Sequence, residues 1–493
     1  MESKDPKCVS VSQKKDGSTT RSTAFKERCH SVDVGPLNSL IALDAADETV
    51  WIESNMKMEE VHDALSRRGY SLKVTPEFKH ISMGGAIQGF GVESTSMEHG
   101  FLHSTARAYR VVLLNKEATV LTVDREHEIF NVIPGSFNTV GLVVAVQVEL
   151  LTLPPDGQWM DIEYRLALDR AAMLQTVHSL HSLRGDDRVD SVECLRIDGM
   201  DNVFLIAIGT VVAAPSATVF SMDRWWHHFY HFHLFHDVVG SDGKLEIERE
   251  SIELRQFLFR HDRGAFWVIY NDPAMWFLRH FGFMRFLFGH MLTARDLYRF
   301  RSRSLDEIDR EFEFVVRDYI VPFERAEPFL EDVIDGHFGS SSILWICPIV
   351  DDGALFLNIG VYLTLYDEHC AEWTDCVSMY QSLESETARS GGWNWFYAPS
   401  FLEREQFEAL YLENGRFDYA ELKRIRRKYD IQTVDFYDKV ATIGARSDLH
   451  HIQRSRPRFK YLSHFPVALK YTAWWIGDRI YAVLQRWTFS KVW

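Results

Sequence analysis

The sequence has few cysteines and no long apolar run, and each shortage excludes a class of protein. Six cysteines occur among 493 residues, and no two of them form a Cys-x-x-Cys pair. A disulfide scaffold or a zinc ribbon is therefore not expected, and the thiols are expected to be reduced. No stretch of about 20 uninterrupted apolar residues is present, as a spanning helix requires. Residues 1–21 are polar and lack the apolar segment of a signal peptide.

The chain also lacks the basic charge that is typical of nucleic-acid-binding proteins. Its formal net charge is −16, whereas a nucleic-acid-binding domain usually presents a basic surface. The exception is the stretch 446–493, which contains nine Lys or Arg and two Asp or Glu. We therefore expect an acidic body with a basic tail, and no nucleic acid among its partners.

The length and the order of patterns predict four regions in an α+β protein. A chain of 493 residues suits two or three folded domains. The first 36 residues are polar and predicted to be disordered or a remnant N-terminal segment. Residues 37–155 mix strands with a helix and end at a double proline, 156–445 segregate strands and helices, and 446–493 form the basic tail. Within these regions, the patterns predict strands over 49–53 and 142–151 and a helix over 305–316.

The tail has helical spacing of apolar residues between 461 and 493. The residues of this apolar stripe fall within about a 100° arc; they are Leu469, Ala473, Ile476, Ile480, Val483, Leu484 and Trp487. A basic amphipathic helix rich in tryptophan is typical of a membrane-surface anchor. A helix docked on the protein body fits the same pattern, and the sequence does not decide between the two.

The most informative stretch is rich in glycine and spans residues 75–100. It contains Gly84, Gly85, Gly89, Gly91 and Gly100. Glycine allows a backbone to approach a ligand closely, and free backbone N–H groups in such turns bind anions. The spacing matches neither a Walker loop nor the dinucleotide fingerprint. From spacing alone, a glycine-rich turn in a β region remains an equal alternative.

A second segment, Ile133-Pro-Gly-Ser-Phe-Asn-Thr-Val-Gly141, follows about thirty residues later and enters a strand. As a pair, the two segments resemble the FAD-binding domain of the vanillyl-alcohol-oxidase (PCMH-type) superfamily. The resemblance covers roughly residues 37–152 and implies an FAD cofactor held from two sides. The implied flavin-binding residues are Ser82, Met83, Gly84, Gly85, Ala86, Ile87, Gly89, Gly91, Glu93, Ser94, Gly100, Pro134, Gly135, Ser136 and Gly141.

Further segments in the same order resemble the delta-24 sterol reductase family. They are Phe259-Arg-His-Asp-Arg-Gly-Ala-Phe-Trp267, Ile343-Leu-Trp-Ile-Cys-Pro348, Gly392-Trp-Asn-Trp-Phe-Tyr-Ala398, Glu403-Arg-Glu-Gln-Phe407 and Tyr437-Asp-Lys439. This resemblance implies an FAD-dependent reductase that saturates the C24=C25 side-chain bond of a sterol, with NADPH as the hydride donor. Such a reaction also needs a proton donor.

Four polar residues are candidates for the catalytic work: Arg260, His261, Arg263 and Tyr397. Arg260 and Arg263 could hold a phosphate or carboxylate, and His261 and Tyr397 could donate a proton. The alternative is that this cluster packs an interface between two domains. Five histidines at 227, 228, 231, 233 and 236 have partial zinc spacing. No carboxylate pattern accompanies them, so no metal is expected.

Fewer residues precede the match here than is usual in the family. The first flavin-binding subdomain is therefore expected to be truncated. The histidine or cysteine that links FAD in some relatives would lie there, so non-covalent FAD is expected. The expected location is the cytosolic face of the endoplasmic reticulum membrane, with a sterol-like lipid and the membrane surface as partners. Two alternatives stay open: an FAD-linked oxidoreductase of another lipid or isoprenoid, and a non-catalytic lipid-binding relative without FAD.

Overall fold

The computed structural model describes eleven parts of the chain. They are residues 9–11, 29–155, 158–183, 189–223, 226–227, 229–268, 281–298, 314–365, 369, 372–412 and 418–441. The predicted amphipathic helix over 461–493 and most of the predicted N-terminal segment lie outside these residues. No helix among the described residues is long and apolar enough to cross a membrane.

The first part of the chain forms a six-stranded antiparallel sheet. Its strands are β3 (Leu40–Asp44), β4 (Thr49–Glu53), β5 (Tyr70–Leu72), β6 (Ala106–Leu113), β7 (Val120–Asp124) and β8 (Gly141–Thr152). They lie in the order β3-β4-β8-β6-β7, with β5 paired to the far end of β8. Buried and accessible positions alternate in the second half of β8, as expected for a strand with one face on a core. Upstream, β1 (Val9–Val11) and β2 (His30–Val32) form a separate parallel pair.

Three short helices lie with this sheet. They are α1 (Met58–Ser66), α2 (Met83–Gln88) and α3 (Ser96–His99). The apolar face of α1 buries Met58, Val61 and Leu65. Helix α2 occupies the glycine-rich stretch, and Ser82 caps it because its Oγ accepts the Gly85 N–H at 3.3 Å. The stretch is therefore helical in its middle, where the sequence had indicated a turn.

The second part of the chain forms a nine-stranded sheet. The strands are β9 (Trp159–Ala167), β10 (Ser191–Arg196), β11 (Phe204–Val212), β12 (Thr218–Phe220), β13 (Arg249–Glu253), β14 (Phe314–Pro322), β15 (Leu344–Asp351), β16 (Ala354–Thr364) and β17 (Trp393–Asn394). Their order is β12-β13-β9-β11-β10-β15-β16-β14-β17. Every pairing is antiparallel except the parallel pair of β12 and β13.

Helices flank the large sheet and close the fold. They are α4 (Arg170–Ser182), α5 (Tyr230–His233), α6 (Leu254–Leu258), α7 (Gly282–Phe288), α8 (Phe323–Pro328), α9 (Asp335–Phe338), α10 (Trp373–Arg389), α11 (Arg404–Tyr411), α12 (Tyr419–Lys428) and α13 (Phe436–Val440). Short 3-10 helices span Leu102–Thr105, Phe130–Val132 and Gly289–Leu292, and π-helical turns span Leu234–Val238 and Phe329–Ile334. The predicted α+β class is confirmed.

The two sheets contact each other through the residues that follow the glycine-rich helix. The Ser94 carbonyl accepts the Val192 N–H at 2.8 Å, and the Ser94 and Ser191 hydroxyls bond at 2.8 Å. Helix α12 returns to the small sheet, where Glu128 accepts from Arg424 at 2.7 Å and also bonds Lys428. The end of the chain's second region therefore packs against its first region, and the predicted boundaries at 37, 155 and 445 stay predictions.

Two expectations from the sequence are wrong in this structure. Cys29 and Cys376 each take part in a disulfide bond, whereas reduced thiols were expected; Cys194 and Cys347 are free and buried. A helix was predicted over 305–316, but its last three residues, 314–316, begin strand β14. They pair with β16, and cross-strand pairing outweighs a local helical spacing of apolar residues.

Candidate functional site

A cavity of about 280 Å³ lies between the two sheets. One wall comes from the glycine-rich stretch. The lining residues of this wall are Ser82, Gly84, Gly85, Ala86, Gly89 and Gly91. The opposite wall comes from the large sheet and the segments beside it. The residues of this second wall are Ala265, Phe266, Val268, Tyr298, Val316, Asp318, Trp345, Tyr362, Trp395 and Tyr397. The cavity thus joins the predicted cofactor segment to the predicted donor Tyr397.

The glycines of the first wall are required by close packing of the backbone. A Cβ added to Gly84 would lie 2.7 Å from Ser54 Cβ, and one added to Gly91 would lie 2.8 Å from Pro76 Cγ. A Cβ on Gly85 would lie 2.9 Å from the Ser82 hydroxyl that caps α2. A side chain at Gly84 would push the helix away from the end of strand β4, and side chains at Gly85 and Gly91 would clash with Ser82 and Pro76. The glycines therefore set the position of the wall.

Backbone strain is concentrated around the cavity. Ten non-glycine residues of the described chain have positive φ, and five of them line the cavity: Phe90, Phe137, Asn138, Ala265 and Phe266. A positive φ is costly for a bulky side chain, and such residues cluster at ligand-binding and active sites. This distribution supports a binding role for the cavity, independently of the glycine pattern.

The second glycine segment contributes to the cavity through its central residues, which Gln88 positions. Gln88 Oε1 accepts from the Ser136 hydroxyl at 2.8 Å and from the Asn138 N–H at 2.9 Å. Gly135 has a φ of 68° and packs so tightly against Phe90 that a Cβ there would lie 2.0 Å from its ring. Phe137 and Asn138 line the cavity, whereas Ser136 is buried behind them. Sequence reasoning missed Gln88, Phe137 and Asn138.

Several predicted flavin-binding residues lie behind the cavity wall. Met83 and Ile87 are core residues on the inner face of α2, and Pro134 is buried. Gly100 and Gly141 are held by close contacts, since a Cβ would lie 2.9 Å from the Val350 carbonyl oxygen and 2.4 Å from Val111, respectively. These residues shape the wall, and no atom of theirs lines the cavity.

The predicted catalytic residue Arg260 lies at the junction of the two sheets. Its guanidinium is fully buried, and it bonds Glu193 through Nε at 3.0 Å and through Nη2 at 2.7 Å. Nη2 also donates to Glu93 at 2.8 Å and to Ser94 at 3.2 Å. Burial would raise the pKa of Glu193, but Arg260 and His261 hold it below its usual range. Arg260 does not line the cavity.

His261 and Arg263 lie beside this network. His261 Nε2 bonds Glu193 at 3.0 Å, and its ring stacks on Phe266 at 4.2 Å between centroids. Burial lowers the pKa of His261 despite the neighbouring carboxylate. Burial likewise lowers the pKa of Arg263, which forms a β-bridge with Thr293. Of the four predicted catalytic residues, Tyr397 alone lines the cavity.

Tyr397 belongs to a polar cluster centred on Asp318. Asp318 Oδ2 lies 2.7 Å from the Tyr397 hydroxyl, and Asp318 Oδ1 lies 2.8 Å from the Tyr362 hydroxyl. Asn358 Nδ2 donates to Asp318 Oδ1 at 2.7 Å, and the Trp395 indole donates to the side-chain Oδ1 of Asn358 at 2.6 Å. Sequence reasoning missed this cluster apart from Tyr397. The signal that could have revealed the cluster is Asp318 itself, a single carboxylate within an otherwise buried strand.

The histidine-rich segment does not form a metal site in the described part of the chain, where no group of three or more candidate ligands occurs. His233 bonds Glu250 at 2.9 Å and Asp237 at 3.0 Å. His231 is buried, and burial lowers its pKa to about 3. His233 is therefore held by two carboxylates, and His231 is packed in the interior.

Comparison with known proteins supports the assignment of a flavin site. The FAD binding domain family matches residues 13–124. A delta(24)-sterol reductase homolog of Caenorhabditis elegans is 24% identical over 455 residues, which cover 86% of this chain and 81% of the relative. The human delta(24)-sterol reductase is 23% identical, and the match covers 82% of this chain and 76% of the relative. The enzyme of Arabidopsis thaliana is 22% identical, and the match covers 83% of this chain and 76% of the relative.

The chain is thus similar, over most of its length, to delta(24)-sterol reductases of animals and plants. The resemblance seen in the sequence is confirmed, and the presence of an FAD-binding domain is confirmed with it. The strained backbone and glycine wall fit a flavin, because they bring main chain close to one side of an otherwise largely apolar cavity. The polar groups on this side include Ser82, Asn138 and Lys57.

Proposed function

We propose that the chain is an FAD-dependent reductase that saturates the C24=C25 side-chain bond of a sterol, with NADPH as the hydride donor. The observation that carries this proposal is a single cavity with a glycine wall on one side and Tyr397 on the other. The names of the relatives support the choice of substrate. The proposed FAD is bound without a covalent link.

Flavin supplies the hydride in this chemistry, and the protein supplies position and a proton. An isolated alkene is a poor hydride acceptor, so a proton donor beside the second carbon lowers the barrier. Tyr397 fits this role because it lines the cavity. Burial raises the pKa of Tyr397 well above its ordinary value, so the hydroxyl keeps its proton at neutral pH.

The apolar residues of the cavity fit the hydrocarbon side chain of a sterol. Phe266, Val268, Val316 and Trp345 line the wall that contains Tyr397. Apolar walls exclude water and hold an alkene without offering competing hydrogen bonds. They equally fit the side chain of an isoprenoid lipid, so the substrate has to be tested directly.

The proposed substrate resides in membranes, and helix α7 offers a surface for docking on the endoplasmic reticulum. Phe281, Phe283, Phe286 and Leu287 are 51%, 69%, 52% and 44% exposed. Exposed apolar patches mark interaction sites. The surrounding sequence 279–303 contains six arginines and one acidic residue, and basic segments of this composition favour membranes with anionic lipid headgroups. We therefore include the cytosolic membrane surface among the proposed partners.

A double substitution tests this surface. Phe283→Asp with Leu287→Asp places two charges on one face of α7 and is expected to reduce flotation with anionic phosphatidylcholine–phosphatidylserine vesicles about tenfold or more. Val120→Asp with Leu168→Asp is the matched control, since those residues are 63% and 71% exposed elsewhere. Equal flotation of both variants and the native protein would remove α7 from the proposal.

The catalytic proposal is tested by anaerobic spectroscopy of the purified full chain. Flavin absorption bands near about 370 and 450 nm are expected after loading with FAD, and NADPH should bleach them. A sterol with a C24=C25 bond should then restore the oxidised spectrum, whereas its saturated counterpart should not. Restoration by an unsaturated isoprenoid alone would support the second oxidoreductase hypothesis. A protein that binds sterol but takes up no FAD would support a non-catalytic lipid-binding role.

A further inference from the structure

We propose that Asp318 is a positioning residue that stores the proton which Tyr397 delivers to the substrate. The inference rests on the proposed function and adds a residue to it. Asp318 lies on strand β14, Tyr362 and Asn358 lie on the neighbouring strand β16, and Tyr397 follows β17. All but Asn358 line the cavity.

The register of the two strands builds this cluster. Asp318 is paired across the strands with Gly360, and Asn358 and Tyr362 flank Gly360 at a spacing of two, so all three side chains share a face. A Cβ on Gly360 would lie 2.8 Å from Asp318 Oδ1 and 2.6 Å from the Tyr362 hydroxyl. The glycine therefore leaves the space that the carboxyl and the phenol occupy.

Counting hydrogens shows why the protonation state of Asp318 matters. If Asp318 is ionised, Tyr362 and Tyr397 each donate their single hydroxyl hydrogen to it, and neither phenol has a hydrogen left for a substrate. If Oδ2 carries a proton, it donates to the Tyr397 oxygen over the same 2.7 Å. The Tyr397 hydrogen is then free to point into the cavity.

The surroundings favour the protonated carboxyl. Asp318 is 7% exposed, and burial raises its pKa, although hydrogen bonds from Tyr397, Asn358 and Tyr362 oppose the rise. Glu77 lines the same cavity, and burial, Glu93 and Asp318 raise its pKa. The remaining titratable groups that act on Tyr397 are Tyr298 and the cation of Arg317.

The proposed step conserves atoms and charge. With hydride supplied to one alkene carbon by a bound reduced flavin, Tyr397 would pass its hydroxyl proton to the adjacent carbon as a new C–H bond forms. Tyr397 Oη takes the proton from Asp318 Oδ2 at the same time, so no isolated phenolate remains. Asp318 is left ionised and recovers a proton from water before the next turnover.

Asp318→Asn is the test, because asparagine keeps a donor toward Tyr397 but has no proton to transfer. In the FAD-loaded full chain, flavin reduction by NADPH and the KM for sterol should stay within about threefold of the native values. The rate of flavin reoxidation by sterol should fall on the order of 10²-fold, the usual contribution of a positioned acid. The native rate should decrease as pH rises through the pKa of Asp318, and the variant should lose this dependence. Asp242→Asn, an exposed turn residue, is the control.

A second readout does not depend on turnover. Infrared difference spectra of the native protein minus Asp318→Asn should show the C=O band of a protonated carboxylic acid at neutral pH, and the band should disappear when the pH is raised. Absence of that band would overturn the inference even if sterol is reduced. A native protein that shows the band but reduces no alkene would instead overturn the proposed function. If the Asp318→Asn variant reoxidises its flavin at the native rate, the role proposed for Asp318 is refuted and the proposed function is not affected.

Discussion

Replacing Arg260 by methionine is expected to destabilise the protein strongly, because the guanidinium is the cation between two buried carboxylates. Arg260 and Glu93 are fully buried, and Glu193 is 1% exposed at its side chain. Methionine matches the length of the arginine stem but removes the bonds to Glu93, Ser94 and Glu193 together.

The expected loss of unfolding free energy follows from the hydrogen bonds that each carboxylate would keep without Arg260. Glu193 would keep His261 at 3.0 Å and the Trp345 indole at 2.9 Å, whereas Glu93 would keep the Ser94 N–H at 2.9 Å and lose its cation. Removing one partner of a buried ion pair costs about 3–5 kcal/mol. We therefore expect a decrease of that size in the free energy of unfolding, measured by urea titration of tryptophan fluorescence.

The matched control is Arg249→Met, since Arg249 pairs with Glu163 at 2.6 Å but is 70% exposed. Exposed ion pairs contribute about 0–1 kcal/mol. If Arg260→Met costs less than about 1 kcal/mol, the carboxylates are not held by Arg260 and the reasoning fails. If stability is retained while sterol reduction is lost, the original hypothesis of a catalytic role for Arg260 is the better one.

Two further predictions concern the glycine wall and a buried acid. Gly84→Ala should lower the flavin content of the purified protein severalfold, because the added Cβ would lie 2.7 Å from Ser54 Cβ. Gly336→Ala is the control, since its Cβ would meet nothing within 4 Å and the flavin content should stay unchanged. Equal flavin absorbance of the two variants would contradict this prediction. Burial raises the pKa of Glu384 to about 7, so the folded state binds this proton more tightly than the unfolded chain, whose glutamates titrate near about 4.3. The stabilisation is thus present below the unfolded pKa and is lost as pH rises through about 7. The melting temperature of Glu384→Gln relative to the native protein should therefore rise between pH 5 and pH 8, and a constant difference would contradict this.

Local patterns in the sequence predicted the small sheet well. Strand β4 has the predicted bounds, and β8 extends the predicted strand over 142–151 by one residue at each end. β-Branched residues and alternation carry this information locally. The helix in the glycine-rich stretch was not predicted, because glycine disfavours helices. Its formation depends on the Ser82 cap and on packing against Ser54, which is distant in sequence.

The candidate site was predicted only in part, for a related reason. The glycine segments identified one wall, but Arg260 and His261 lie in the junction and Asp318 was overlooked. A sequence motif shows which residues recur together and does not show whether a side chain faces a cavity or an interface. The pairing of Asp318 with Gly360 joins positions 42 residues apart, and that register becomes visible only once both strands are placed.

The buried ionic cluster explains how two separately built walls can act on one substrate. A buried ion pair is often no more stabilising than well-packed apolar residues of the same volume. Arg260 instead fixes the relative position of two elements. Its guanidinium bonds both Glu93, which follows the glycine-rich helix, and Glu193 on strand β10 of the large sheet. In the proposed reaction, hydride and proton reach adjacent carbons from opposite walls of the cavity. The relative position of the two sheets is therefore part of the proposed chemistry, and Arg260 contributes to it without lining the cavity.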